Sequence, residues 1–224
     1  MKAIVFDMDG TLLDSMPAWN RVNEQIVEDF HIPMDQLDYD LVITQGFGSL
    51  IKILRKYYDL EVDVADLHRR SNELMEKWYG AHAVTRPGVV ENLKALRKGG
   101  YPLAVATATE EGLARLALQT AGISDHFDLI YSSSTDEFPK NDRHYWETVA
   151  KRMDCDPSQM ILFDDALYAL VTAGECGYFT VGLEDPSYQQ DLDQMKRRAD
   201  AFLPGFEGVD LLSWLKDQEE RSQQ

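Results

Sequence analysis

The most constraining feature of the chain is an apolar run at its start that ends in acidic residues. The run 2–6 is rich in β-branched and apolar side chains, and Asp7-Met8-Asp9-Gly10-Thr11 follows at once. A short continuous apolar run that stops at acidic and glycine residues is typical of a strand buried on both faces of a parallel sheet. The pattern therefore predicts a first strand that delivers carboxylates to its carboxyl end.

Similar apolar runs recur along the chain and alternate with segments of helical spacing. Residues at i, i+3, i+4 and i+7 from Leu113, and again from Trp146, form one face of a helix (Leu113, Leu116, Ala117, Thr120; Trp146, Val149, Ala150, Met153). Strands that alternate with helices predict an α/β fold, a Rossmann-like parallel sheet with helices on both faces. The further predicted strands are Leu103–Ala106, Leu129–Tyr131, Met160–Phe163 and Phe179–Val181.

A long helical interval interrupts this alternation between Ser15 and His82. Its apolar stripes are Trp19, Val22, Ile26, Phe30 and then Leu67, Ser71, Leu74, Trp78. An interval of this length with its own apolar faces is too long for a loop. It predicts an inserted α-helical cap domain, residues 15–82, on a catalytic core formed by residues 1–14 and 83–224. Prolines and a glycine mark the expected joints.

Composition narrows the possible partners and the expected location. The formal net charge is −17, which disfavours nucleic acid and anionic membranes as partners because like charges repel. A phosphorylated substrate is also an anion, so a phosphate site in this chain needs its own local positive charge. The two cysteines, Cys155 and Cys176, are widely separated, and no apolar stretch approaches the roughly 20 residues that span a bilayer. We expect a cytoplasmic protein with reduced thiols, a monomer or a weak homodimer.

Polar residues follow three of the predicted strands at the point where each one ends. Asp7 and Asp9 follow the first strand, Thr107 the second, and Asp164 with Asp165 the run 160–163. Ligands of open parallel sheets bind at this edge. Taken singly, such residues commonly form turns. Together, the carboxylates would repel one another without a cation, and oxygen ligands favour Mg²⁺. Gly10 would let the backbone approach a bound anion.

These motifs resemble the signatures of the haloacid dehalogenase superfamily, in its phosphatase and phosphomutase branch. The resemblance extends over nearly the whole chain. The first signature corresponds to residues 7–15, the second to Ala106–Thr109, the third to Lys140, and the fourth to Phe163-Asp164-Asp165. Pro87-Gly88-Val89 resembles the return of the chain from the cap to the core.

The resemblance implies a role for each of these residues in hydrolysis of a small-molecule phosphate monoester. Asp7 would attack phosphorus to form an aspartyl-phosphate, and Asp9 would act as general acid and then general base. Mg²⁺ would be held by the Asp7 side chain, the Asp9 backbone carbonyl and the Asp165 side chain. Asp164 would orient a metal-bound water or the lysine. The phosphoryl oxygens would be held by Thr107, Ala108, Lys140 and Gly10.

Two departures from the family pattern lie close to these residues. Lys140 precedes Asn141-Asp142-Arg143, where relatives have Lys-Pro-x-Pro, although Trp146 keeps the usual aromatic position. Ala166 and Ala169 replace the expected Ser and Gly after Asp165. The first departure affects how the backbone turns after the lysine, and the second affects local hydrogen bonding.

Substrate choice is expected to come from the cap, where the sequence says least. Gln45, Gly46 and Phe47 lie in a glycine-containing segment that either faces the active site or is an ordinary turn between helices. Trp19 either lines the pocket or belongs to the core of the cap. A β-phosphoglucomutase-like mutase is the alternative, but such members carry a histidine near the place of Trp19 and an arginine near that of Ser49. A catalytically silent binding protein on the same fold is a further alternative.

Overall fold

A six-stranded parallel sheet forms the centre of the molecule. The computed structural model describes residues 2–32, 63–134, 138–186 and 191–221, and within them the strand order is β3-β2-β1-β4-β5-β6. The predicted α/β, Rossmann-like fold with a helical insertion is confirmed. The strands are β1 Ala3–Phe6, β2 Leu103–Thr107, β3 Leu129–Ser132, β4 Met160–Asp164, β5 Phe179–Leu183 and β6 Ala201–Leu203.

Eight α-helices are present in the described part of the chain. Three of them, α1, α2 and α3, lie between β1 and β2 in sequence, and the others alternate with or follow the remaining strands. The helices are α1 Met16–Asp29, α2 Val64–His82, α3 Val89–Lys98, α4 Glu111–Thr120, α5 Arg143–Arg152, α6 Leu167–Cys176, α7 Leu192–Arg198 and α8 Leu211–Arg221. None of the described helices is both long and apolar enough to cross a bilayer.

Alternate residues of the central strands pack into two separate cores. Ile4 and Phe6 of β1 face the side covered by α3, α4 and α8, whereas Ala3 and Val5 face the side covered by α5, α6 and α7. This follows from the two-residue period of a strand, which sends successive side chains to opposite faces. The Phe6 ring stacks on that of Phe163 in the adjacent β4, with centroids 5.1 Å apart. Both faces of β1 are therefore buried, as its continuous apolar sequence predicts.

Three details differ from the sequence prediction. The edge strand β6 was missed, because its three residues are only half-buried and lack a clear pattern. On α4 the buried residues are Leu113, Ala114, Ala117 and Leu118, and Thr120 is exposed. On α2 the buried stripe runs at four-residue spacing through Leu67, Ser71, Met75 and Tyr79, while Leu74 and Trp78 lie at its margin. Packing of α2 against both α1 and α4 explains why the buried face is rotated.

The two connections of the helical insertion run side by side. The Asp14 amide donates to the Val84 carbonyl at 3.1 Å, and the Arg86 amide donates to the Leu12 carbonyl at 2.9 Å. Gly88, which precedes α3, has a φ of 80°. This pairing lies next to Pro17 and Pro87-Gly88, the prolines and the glycine that mark the expected joints. The domain boundaries themselves stay a prediction, since residues 33–62 lie outside the described part of the chain.

Gly88 and Gly100 offer a matched pair for testing the joint. Both have left-handed backbones, with φ of 80° and 83°, but a β-carbon at Gly88 would collide with the Phe206 carbonyl, whereas one at Gly100 would meet nothing. We expect Gly100→Ala to lower the free energy of unfolding by about 1–2 kcal/mol through backbone strain alone. Gly88→Ala should cost a further 1–3 kcal/mol or so by overpacking. Urea denaturation measures both, and equal losses would contradict the steric role of Gly88.

Candidate active site

The predicted site residues meet where the strand order reverses between β1 and β4. Asp7 follows β1 directly, and its amide donates to the Phe163 carbonyl of β4 at 2.9 Å. Asp164 ends β4 and Asp165 comes next. In open parallel sheets the crevice beyond the carboxyl ends of the strands at such a reversal is the usual ligand site. The three carboxylates are therefore brought together by strand pairing rather than by the inserted helices.

Lys140 lies buried between two of these carboxylates. Its ammonium is 2.6 Å from Asp7 Oδ1 and 2.7 Å from Asp164 Oδ2, and the residue is 3% exposed. The turn after it forms without the family prolines, because the Asp142 amide donates to the Pro139 carbonyl and the Trp146 indole donates to the Lys140 carbonyl. The missing prolines thus do not displace the lysine.

Burial and crowding shift the pKa values of this cluster. Burial raises the pKa of Asp7 to about 7 against the opposing charge of Lys140, and the charge of Asp164 adds to the rise. Burial and the charge of Asp7 likewise raise the pKa of Asp165 well above its ordinary value. Burial alone would lower the pKa of Lys140, but Asp164 and Asp7 outweigh it and raise that pKa. When all three carboxylates are ionised, the single ammonium leaves two negative charges unbalanced, so the ionised cluster favours a further cation.

Gly10 and Thr11 hold the Asp165 carboxylate against the first loop. Thr11 Oγ1 donates to Asp165 Oδ1 at 2.9 Å. Gly10 has a φ of 81°, and a β-carbon there would collide with the Asp165 carboxylate. Glycine at this position is therefore required by the close approach of Asp165 as well as by the backbone conformation.

The donor set fits a hard divalent cation. Asp7, Asp164 and Asp165 are buried, and each offers a carboxylate oxygen within 4.8 Å of the others. Asp164 has both oxygens engaged, one by Lys140 and one by the Ala166 amide. Within the described residues, Asp7 Oδ2 and Asp165 Oδ2 contact no hydrogen-bond donor. Oxygen donors without histidine or cysteine suit Mg²⁺, and these two free oxygens are the ones available to hold it.

Thr107 and Ala108 lie at the end of the neighbouring strand β2. Thr107 is buried, and its hydroxyl accepts a bond from the Thr109 amide at 3.0 Å, which tightens the turn. Ala108 is exposed at the tip of that turn. Both residues are therefore at the carboxyl edge of the sheet, next to β1, as the sequence predicts.

Within the described ranges, the Asp9 carboxylate accepts hydrogen bonds from three hydroxyl groups and from no cationic side chain. Ser15 Oγ and the Tyr79 hydroxyl donate to Asp9 Oδ1 at 2.6 and 2.5 Å, and Thr109 Oγ1 donates to Oδ2 at 2.6 Å. Burial, with the charge of Asp9, raises the pKa of Tyr79 well above its ordinary value, so this hydroxyl remains a donor. The two aspartates of the first loop thus occupy chemically different environments.

Sequence reasoning assigned no role to Ser15, Tyr79 or Thr109. Ser15 precedes α1 in the position of a helix cap, yet its hydroxyl bonds Asp9 and not a helix amide. Thr109 belongs to the turn that resembles the second family signature. The four-residue spacing from Leu67 on α2 could have indicated that Tyr79 is buried, but only the packing of α2 brings it to Asp9.

Arg86 and Tyr168 were also missed. Arg86 donates to the Gly10 carbonyl and, at 2.7 Å, to the Glu184 carbonyl, so it ties the joint to the first loop and to the end of β5. Tyr168 is 49% exposed at the start of α6, close enough to Lys140 and Asp164 for their charges to act on its hydroxyl. Both residues lie around the carboxyl edge where a ligand would approach.

Of the four cap residues predicted to contact a substrate, the structure describes Trp19. Gln45, Gly46 and Phe47 lie outside the described residues. Trp19 is half-buried against the core cluster, and its indole nitrogen donates to the Tyr79 hydroxyl at 3.1 Å. The tryptophan is therefore linked to Asp9 through Tyr79.

Comparison with known proteins agrees with this geometry. A family profile of haloacid dehalogenase-like hydrolases matches residues 1–177. The chain belongs to this family. Among curated proteins, a phosphoglycolate phosphatase from Nitrosospira multiformis is 30% identical over 214 residues, which cover 92% of each chain.

Solved structures share the fold at lower sequence identity. CbbY from Rhodobacter sphaeroides, in a complex with xylulose-(1,5)bisphosphate, superposes with a TM-score of 0.81 at 20% identity, covering 93% of this chain and 96% of the other. A β-phosphoglucomutase from Clostridium difficile gives a TM-score of 0.80 at 18% identity, with both chains fully covered. These two likenesses show a common fold over at least 93% of this chain.

Removal of Lys140 tests its place in the cluster. Lys140→Met leaves Asp7 and Asp164 buried without their shared partner, so we expect the free energy of unfolding to fall by about 3 kcal/mol or more. The exposed Lys94→Met serves as the control and should change stability little. Urea denaturation in the presence of a chelator gives both values. Equal stability of the two variants would contradict a buried, charge-paired lysine.

Mg²⁺ should raise the melting temperature of the protein. At a hundredfold excess over its dissociation constant, a cation bound to the folded state alone adds about 2.7 kcal/mol, or about 5–10 °C for a chain of this size. Asp165→Asn should abolish the shift, whereas Asp125→Asn, at an exposed carboxylate, should keep it. Differential scanning fluorimetry with and without chelator measures this. An unchanged wild-type melting temperature would contradict the metal site.

Proposed function

We propose that this protein is a Mg²⁺-dependent phosphatase that hydrolyses small-molecule phosphate monoesters through an aspartyl-phosphate. Family membership and the phosphoglycolate phosphatase relative support phosphate ester hydrolysis. The observation that carries the mechanism is the contrast between two neighbouring carboxylates. Asp7 lies at the strand ends against Lys140, and Asp9 lies among three hydroxyl donors.

Asp7 is the nucleophile in this proposal. One of its oxygens forms a bond to phosphorus while the bond from phosphorus to the ester oxygen breaks, which divides one difficult displacement into two easier ones. Lys140 contacts Asp7 directly, so its ammonium also lies where phosphoryl oxygens arrive. Thr107 and Ala108 at the end of β2 and the Gly10 loop complete the phosphate-binding groups. They stabilise charge that develops on the transferring phosphoryl group.

Asp9 moves the protons in both steps. In the first, its carboxylic acid gives a proton to the departing ester oxygen, and in the second its carboxylate takes a proton from the water that attacks the aspartyl-phosphate. The products are the free alcohol and inorganic phosphate, and Asp7 is regenerated. Hydroxyl groups around Asp9 suit this exchange because a hydroxyl both donates and accepts hydrogen bonds.

Asp7, Asp165 and the Asp9 backbone carbonyl are the proposed Mg²⁺ ligands. When bound, the cation neutralises part of the charge that otherwise repels an anionic substrate from three carboxylates. Each oxygen of Asp164 already accepts one hydrogen bond, from Lys140 or from the Ala166 amide, so we assign this carboxylate to positioning the lysine.

The proposal also covers the substrate of the enzyme, its location and its oligomeric state. Phosphoglycolate is one candidate, supported by the 30% identical relative, and sugar phosphates and nucleotides complete the panel to be screened. The charge of −17 supports a protein without nucleic acid or membrane partners. We propose that it acts in the cytoplasm as a monomer or weak homodimer, with residues 15–82 as its cap domain.

Phosphate release from 4-nitrophenyl phosphate and the metabolite panel tests the function. We expect turnover with Mg²⁺, loss with chelator, and a fall in kcat of about three orders of magnitude or more for Asp7→Asn. Asp125→Asn, at an exposed carboxylate, is the control and should keep full activity. Activity that survives Asp7→Asn would overturn the mechanism. Isomerisation of a hexose 1-phosphate with little free phosphate would identify a mutase instead.

A further inference from the structure

Three hydroxyl groups from different parts of the chain converge on the Asp9 carboxylate. Ser15 comes from the joint after the first loop, Thr109 from the turn after β2, and Tyr79 from α2 in the inserted segment. All three donor–acceptor distances are between 2.5 and 2.6 Å, which is typical of charge-assisted bonds from a hydroxyl to a carboxylate. The orientation of the carboxylate is therefore set from three sides.

Tyr79 is held rigidly enough to act as a fixed donor. The residue is fully buried, and its hydroxyl accepts a bond from the Trp19 indole on α1 at 3.1 Å. Its ring meets that of Trp78 edge to face, with centroids 5.6 Å apart. The Tyr79 hydroxyl donates its hydrogen to one acceptor and accepts a hydrogen bond from one donor. A buried aromatic ring held in this way has a single preferred orientation.

The distribution of donors distinguishes the two oxygens of Asp9. Oδ1 accepts hydrogen bonds from the hydroxyls of Ser15 and Tyr79, whereas Oδ2 accepts one from the Thr109 hydroxyl. Oδ1 therefore has its in-plane acceptor positions filled, and Oδ2 keeps one open. This leaves Oδ2 as the oxygen from which a proton can pass to the ester oxygen and to which the attacking water can return it.

We propose that Tyr79 is a positioning residue that acts through Asp9, so that helix α2 of the inserted segment fixes the orientation of the proton-transferring carboxylate. The proposal rests on the proposed phosphatase function. Tyr79 touches neither phosphorus nor the ester oxygen in this scheme. Its contribution is to hold Oδ1 so that Oδ2 faces the leaving group, and it couples the placement of α1 and α2 to the chemistry of the core.

A pair of aryl phosphates separates this role from a structural one. 4-Nitrophenolate departs without needing a proton, whereas phenolate is a much poorer leaving group and needs general acid assistance. The two esters have similar size, so binding affects both alike. Positioning of the acid should therefore affect kcat/KM for phenyl phosphate far more than kcat/KM for 4-nitrophenyl phosphate.

Tyr79→Phe is the variant to measure, since it removes one hydroxyl and keeps the ring. We expect kcat/KM for phenyl phosphate to fall about tenfold, a fraction of the hundredfold or more that general acid catalysis contributes, and the nitrophenyl value to change less than about twofold. The loss should appear in kcat with KM unchanged. Trp19→Phe removes the donor to Tyr79. It should lower the ratio of kcat/KM for phenyl phosphate to kcat/KM for 4-nitrophenyl phosphate, by a smaller factor than Tyr79→Phe does.

Tyr178→Phe is the matched control. Its hydroxyl is also buried and donates to the Trp146 carbonyl at 2.7 Å, on the opposite face of the sheet from Tyr79. We expect it to lower stability as Tyr79→Phe does and to leave the ratio of the two substrates unchanged.

The outcomes separate this proposal from the one on which it rests. Equal losses on both esters, or no loss on either, in an Asp7-dependent enzyme would overturn the role of Tyr79 and leave the phosphatase intact. Hydrolysis of neither ester by the wild-type protein, or hydrolysis that survives Asp7→Asn, would overturn both.

Discussion

The rest of the site depends on the buried ion pairs that the Lys140 ammonium makes with Asp7 and Asp164. This ammonium lets two carboxylates from adjacent strands stay close together in the interior, where unpaired charges are costly. It also leaves Asp165 and one oxygen of Asp7 without a positive charge beside them. The uncompensated negative charge of these carboxylates favours binding of a divalent cation. Lys140 thus engages one oxygen of Asp7 and one of Asp164, while Thr11 and the Ala166 amide engage one oxygen of Asp165 and the other oxygen of Asp164.

Around Asp9 the same sheet edge uses neutral donors instead. Hydroxyl groups hold a carboxylate by hydrogen bonds without placing a positive charge beside it. Two aspartates only two residues apart therefore acquire different chemistry from their surroundings, one beside a cation and one among hydroxyls. Separate environments for neighbouring titratable groups are a general way to assign nucleophilic and proton-transfer roles.

The parts of the site that the sequence predicts are those fixed by strand order. Asp7, Asp164 and Thr107 follow apolar runs directly, so the rule for strand ends places them together once the sheet is recognised. The resemblance to the third family signature predicts Lys140, although the prolines that usually follow the lysine are absent. The hydrogen bonds that the Asp142 amide and the Trp146 indole donate to the backbone at Pro139 and Lys140 explain why the lysine is still in place. Tyr79 could not be predicted to contact Asp9, because 70 residues separate them and the contact depends on how α2 packs against α1 and α4. Likewise, β6 pairs only at the sheet edge, where apolar patterning is weakest.

The side-by-side course of the two connections at Leu12–Asp14 and Val84–Arg86 has an evolutionary consequence. Since the core itself holds the ends of the insertion together, the entropy of closing that loop grows only with the logarithm of its length, about 0.6 kcal/mol for each doubling. The part of the insertion between α1 and α2 can therefore change in length at little thermodynamic cost to the sheet. A scaffold of this kind can diversify what it accepts while α1, α2 and the core keep their contacts with Asp9.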